Sequence, residues 1–141
     1  MYSIQLQPGE RVLRKDRISL TEGKLVNKVG VCFMTDRRLV FQYQPTWMGI
    51  SILMRVIFSR LIPAWRKVTR EVSYQEMDRI WMEKYGINQA VVVPLPDGVT
   101  LKVIFSGRQR TAWFEALDQA LAGQGLRRVP DGEHAWRVQP G

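Results

Sequence analysis

The sequence predicts a mainly β fold: about seven antiparallel strands forming a barrel that one C-terminal α-helix caps. Three observations predict it. The chain has 141 residues, 45% of them hydrophobic and 24% charged, the make-up of one domain large enough to bury a core without metal or disulfides. Between residues 11 and 105, short runs with β-type patterning are punctuated by turn-forming clusters. From residue 109 to residue 122 the apolar spacing changes to three and four, the period of an amphipathic helix.

The elements follow in order. Residues 11–20 form a mixed stretch ending at Thr21-Glu22-Gly23, and the β-rich run 24–35 follows as the second arm of a hairpin. In that run Leu25, Val29, Val31 and Phe33 share one face while Val26, Cys32 and Met34 share the other, so the inward face is left open. After the polar turn Thr35-Asp36-Arg37, residues 38–44 alternate Leu39, Phe41 and Tyr43 with Arg38, Val40 and Gln42, the pattern of a half-buried strand. Residues 70–74 and 79–85 are short β-like runs around Gln75-Glu76-Met77-Asp78, and Gly86-Ile87-Asn88 offers the next turn. Residues 90–95 join residues 99–105 through Pro96-Asp97-Gly98, where Pro fixes φ and Gly accepts a positive φ. The helix brings Trp113, Ala116, Leu117, Ala120 and Leu121 to one side and stops at Gly123. The tail, residues 126–141, is rich in Arg, Gly and Pro and reads as irregular, the lesser alternative being a small extra hairpin turned at Pro130-Asp131-Gly132.

Charge is distributed unevenly. The net +8 could serve nucleic acid, an anionic membrane or neither, so its placement decides more than its size. From Arg37 to Arg70 there is no Asp or Glu, while Arg37, Arg38, Arg55, Arg60, Arg66, Lys67 and Arg70 are all basic. The remaining residues carry fourteen basic against thirteen acidic side chains, so a nearly neutral body bears one cationic segment.

Pro8-Gly9-Glu10-Arg11-Val12-Leu13, followed by Phe33-Met34-Thr35-Asp36-Arg37-Arg38-Leu39-Val40-Phe41, resembles the opening strand and the Thr-Asp hairpin of GRAM-type and bacterial pleckstrin-homology-like domains. Residues 70–80 are similar to the strand and turn that open that family's second half, Asp97-Gly98 to Phe105 to its last strand, and Trp113-Phe114-Glu115-Ala116-Leu117 to its capping helix. The resemblance covers residues 8–122, leaving 123–141 as a tail. It implies a pleckstrin-homology-like barrel without enzymatic activity, of a kind that commonly binds membrane lipid or other proteins. The nearest match to the basic cluster of phosphoinositide-binding members is Arg14-Lys15-Asp16-Arg17 with Lys24 and Lys28, and the second strand lacks an Arg.

The segment at about 45–67 departs from the family pattern. It is longer and more apolar than a strand connection requires. Eleven of the sixteen residues from Trp47 to Ile62 are apolar, yet a helix of that length reaches about 24 Å, short of the ~30 Å hydrocarbon core, and Arg55 sits near its middle. On a helical wheel Trp47, Ile50, Met54, Ile57, Phe58 and Leu61 share a face, so the segment suits an interface rather than a span. Trp47 and Trp65 are the ring type that favours the headgroup level, and Arg60, Arg66, Lys67 and Arg70 would meet anionic lipid at about 1 kcal/mol each. The expected lipid- or partner-binding residues are therefore Trp47, Met54, Arg55, Phe58, Arg60, Trp65, Arg66 and Lys67. Two other readings stay open: the same segment pressed against a partner protein or a second copy of the chain, or packed as ordinary core.

Other chemistry finds little footing. Five Trp and a basic pI would suit nucleic acid, but the cations of residues 37–70 are interleaved with large aliphatics rather than polar residues. His134 is the single histidine and lies in the tail, and Cys32 falls within a strand pattern as a small packing residue. One His and one Cys leave zinc short of ligands, no phosphate-binding loop motif occurs, and no cofactor is implied. Glu76 with Asp78, and Glu115 with Asp118, are spaced as turn or solvated-face acids. Trp81 is either core or part of a surface group with Glu83 and Tyr85. A single Cys and a charged, Pro-Gly-containing start set the expectation of a cytoplasmic protein, peripheral at the inner membrane face.

Overall fold

The computed structural model describes residues 3–22, 28–43, 68–85 and 88–141. Among these residues nine antiparallel strands make one sheet: β1 (Val12–Glu22), β2 (Lys28–Thr35), β3 (Arg38–Tyr43), β4 (Val68–Ser73), β5 (Arg79–Tyr85), β6 (Asn88–Pro94), β7 (Thr100–Ile104), β8 (Leu126–Pro130) and β9 (Ala135–Pro140). Among the described residues one helix, α1 (Gly107–Gly123), lies between β7 and β8 in sequence. The order across the sheet is β4-β3-β2-β1-β7-β6-β5-β9-β8. β1 joins the two halves, for its residues up to Leu20 pair with β2 while Ser19 to Glu22 pair with β7.

The expected barrel does not close. Both edges of β5 are occupied, one by β6 and the other by β9, so β4 has no edge of β5 to pair with and ends the sheet instead. β4 passes into a single 3-10 turn, Tyr74–Glu76, where Glu76 Oε1 accepts from the Ser73 hydroxyl at 2.9 Å. The tail is likewise ordered rather than irregular: β8 and β9 form a hairpin, and β9 extends the second half of the sheet along β5. Gly132 and His134 take positive φ in its turn, at 102° and 57°.

Period-two alternation places β3 as expected, with Leu39, Phe41 and Tyr43 all fully buried in the main core. In β2 it is Cys32 and Met34 that point into that core. Val31 and Phe33, on the opposite face, are buried as well, in a second cluster with Val40. β2 is thus apolar on both sides because both sides are covered, which is why its pattern names no inward face. Gly30 pairs with Tyr43 of β3, and a Cβ there would collide with the Gln42 carbonyl oxygen.

α1 starts at an N-cap, where Ser106 Oγ accepts from Gln109 N at 3.3 Å. It ends at Gly123, with Gln124 as C-cap and Gly125 in the left-handed region at φ 71°. Trp113, Leu117 and Leu121 bury completely against the sheet, and Gln124 Nε2 donates to Asp36 O, tying the helix end to the β2–β3 turn. Arg128 of β8 lies over both Phe114 on α1 and Trp136 on β9, 4.5 and 4.6 Å from their ring centroids, which are themselves 5.1 Å apart, and makes two 2.9 Å bonds to Asp118. That stack fastens the tail hairpin to the helix.

Ahead of β1, residues 3–7 cross the outer face of β2 and β3 without joining the sheet. Gln42 and Arg38 donate to the Ser3 and Gln5 carbonyls, Arg37 reaches Gln7 Oε1, Gln7 N donates to Glu10 Oε1, and Ile4 is partly buried. Its root is held far better. Glu10, its side chain fully buried, receives Arg38 Nε at 2.9 Å and the Thr35 hydroxyl at 2.7 Å, and Arg38 also bonds Glu71. The Arg38 guanidinium is the largest influence holding the Glu10 carboxyl down, to about 2.

Candidate functional site

All eight expected site residues, Trp47, Met54, Arg55, Phe58, Arg60, Trp65, Arg66 and Lys67, lie outside the described residues. What the structure places is the pair of strand ends that the segment joins. Tyr43, the last residue of β3, is paired with Val68, the first of β4. Neighbouring antiparallel strands are ordinarily joined by two to five residues; here the connection is residues 44–67, 24 residues without a single acid.

Two further connections emerge beside it. The β1–β2 connection, residues 23–27, follows Glu22, which pairs with Leu101 at the start of β7. The β6–β7 turn stands next to that pair, since Val93 also faces Leu101 and Pro94 faces Thr100. Arg70 Nη1 on β4 reaches Asp97 Oδ2 in the same turn at 3.3 Å, bridging halves of the sheet that share no strand pairing at this edge. Arg70 Nε also approaches the Tyr43 hydroxyl at 3.5 Å. Asp97 holds the turn in shape as well, its Oδ1 accepting from Val99 N at 3.0 Å while Gly98 takes φ 89°. Three connections therefore share one end of the sheet, with α1 fastened at its far end to the β2–β3 turn.

At the corner where β2 and β7 diverge from β1 is a groove of about 400 Å³ lined by Arg17, Ser19, Val29, Ile104, Ser106 and Gln109. Val29 is 70% exposed there. Gln109 Nε2 bonds Arg17 O at 2.8 Å and shapes the groove floor. The basic run Arg14-Lys15-Asp16-Arg17 is divided among separate partners, while Lys24 and the Lys28 side chain, the rest of the expected cluster, lie outside the described residues. Asp16 is buried and pairs with Arg14 at 2.7 Å, Lys15 lies 5.4 Å from the Phe33 ring centroid, and Arg17 is left on the groove.

Trp81 belongs to the surface group rather than the main core. Its Nε1 donates to Glu83 Oε1 at 3.0 Å and the Arg79 guanidinium lies 5.4 Å from its ring centroid. The Trp81 bond and Lys102, 2.9 Å away, hold the Glu83 carboxyl below its ordinary value. Cys32 is fully buried, and desolvation pushes its thiol up to about 12, far from a reactive thiolate at neutral pH. His134 sits half-exposed in the β8–β9 turn with Glu133 at 3.7 Å. Among the described residues no three His, Cys, Asp or Glu converge to hold a metal ion, and no helix is long and apolar enough to cross a membrane. Asp97, which faces Arg70, is the residue at this end that sequence reasoning treats only as part of a turn; its Pro-Asp-Gly setting carries no sign of the partner.

No family model matches the chain, and no curated protein matches it. Among solved structures it is similar to the C-terminal domain of an unknown protein from Leishmania infantum, with 19% identity and a TM-score of 0.51, over 81% of this chain and 87% of that one. Likeness at that identity speaks to fold alone. Fold and comparison together define a mainly β domain, whose described residues form one antiparallel sheet of nine strands and one helix.

Proposed function

We propose that this protein is a non-catalytic binding module of the GRAM or pleckstrin-homology-like kind that docks on anionic membrane lipid through residues 44–67. One observation carries the reading: an apolar, acid-free connection of 24 residues is inserted between paired strand ends that a tight turn would join. Joining Tyr43 to Val68 needs far fewer residues, so the length and composition of the connection answer to something other than strand connection. The pleckstrin-homology-like kinship draws support from the run of seven antiparallel strands followed by a helix, β1 to β7 and then α1. On this reading Trp47, Met54, Phe58 and Trp65 bury apolar area at the interface, and Arg55, Arg60, Arg66 and Lys67 meet lipid phosphate. The protein then works at the cytoplasmic face of a membrane without crossing it.

Co-sedimentation with vesicles tests the proposal. Vesicles containing phosphatidylserine should carry the protein down, purely zwitterionic vesicles should do so far less, and Trp47→Ala with Phe58→Ala should weaken pelleting at least fivefold. Equal pelleting by the double variant would sink the lipid reading. A defined dimer or ring by light scattering, together with no vesicle binding, would assign the same segment to self-assembly.

A further inference from the structure

The outer face of β2 and β3 carries a strip of Val31, Phe33 and Val40, on which Ile4 packs. Residues 3–7, which belong to no strand, are held there by side chains that reach their main chain. Gln42 Nε2 donates to Ser3 O at 2.7 Å and Arg38 Nη2 donates to Gln5 O at 2.9 Å. Ile4 lies in sequence between those two carbonyls and supplies the apolar contact. Each of these donors is on the groove and each acceptor on the segment, so the groove reads an extended main chain and one apolar side chain rather than a particular sequence. Gln42 is only 6% exposed, and its Oε1 has no partner among the described residues, which leaves an acceptor for a backbone N–H of an incoming chain.

Beyond Gln7 the chain reverses. Gly9 takes φ 78° and Glu10 N donates to Gln7 O at 3.0 Å, while the buried Glu10 stays anchored to Arg38 and Thr35. Residues 3–7 thus pivot on a turn whose far side is fixed, and leaving the groove breaks none of the strand pairing.

We infer that this groove is a docking site for an extended, uncharged peptide strand with a branched apolar side chain between two main-chain carbonyls, and that residues 3–7 occupy it in cis. Entry of such a peptide displaces Ile4 and takes over the bonds from Gln42 and Arg38. The groove is built from β2 and β3 and is independent of any membrane role of residues 44–67.

Fluorescence anisotropy on the 141-residue chain tests this, with a labelled, N-acetylated synthetic peptide copying residues 1–7 as the probe. The Ile4→Asp chain, its own segment released, should bind the probe saturably and at least tenfold more tightly than the native chain. Ile4→Val should match the native chain and Ile4→Ala should fall between, which keeps the comparison open should Ile4→Asp lose its native circular dichroism. A probe carrying Ile4→Asp should not bind. Absence of saturable binding to released chains that retain the native spectrum, equal affinity for native and released chains, or indifference to the probe's apolar residue would each overturn the inference.

Discussion

Glu10 shows how one side chain can hold the segment ahead of β1 against a sheet. It is buried, yet it stays charged because Arg38 and Thr35 replace the water it has lost. Its folded carboxyl titrates near 2 against an ordinary 4.5, so its contribution to stability is complete above about pH 4.5 and fades as the pH falls toward 2. The shift corresponds to about 3 kcal/mol. Glu10→Gln should lower stability at pH 7 by roughly 2–3 kcal/mol in urea unfolding. It should also flatten the loss of stability between pH 4.5 and 2; an unchanged acid limb would show that other carboxylates set it. Gly30 offers a second test at this scale. Gly30→Ala forces a methyl group against the Gln42 carbonyl, and a loss of about 2–3 kcal/mol is expected in the same assay. The sequence announces neither effect, because the Pro-Gly-Glu start and an isolated strand glycine reveal nothing of the groups they meet across the sheet.

Strands and helix differ in how far their own residues declare them. β3 was readable because one of its faces is wholly core, and α1 because its buried side chains recur at helical spacing and Gly125 follows its end. β2 concealed its inward face, for the strip of Val31 and Phe33 is covered by residues from ahead of β1. The tail hairpin is a clearer case still. Its turn residues are local, but its place beside β5 depends on a pairing across more than fifty residues that no local pattern encodes, and that placement is what leaves the sheet open. Arg128 is the fastening of this element. Arg128→Ala removes both ring contacts and both bonds to Asp118, and should speed amide hydrogen exchange in β8 and β9 at least tenfold while leaving β2 and β3 unchanged. Uniform acceleration across the sheet would mean that the hairpin opens only with the whole domain.

For the molecule as a whole, the proposed role rests on a division between a nearly neutral scaffold and one basic, apolar connection. Composition revealed that division, since the absence of acids from residue 37 to residue 70 needs no coordinates to be seen. What the sequence withheld was the root of the connection, because the pairing of Tyr43 with Val68 is a tertiary fact set by β3 and β4. If the cations of this end meet lipid phosphate, binding to phosphatidylserine vesicles should weaken steeply between about 0.1 and 0.5 M salt while retaining an apolar remainder, and salt-independent binding would deny them a part. Most direct of all is quenching of tryptophan emission by vesicles brominated along the acyl chain. Trp47 and Trp65 should lose emission on mixing, and the quenching should vanish in Trp47→Phe with Trp65→Phe while Trp81, Trp113 and Trp136 stay unquenched. Pelleting with anionic vesicles but undiminished quenching in that variant would place lipid elsewhere on the surface, and an unquenched native protein would leave residues 44–67 without the role proposed for them.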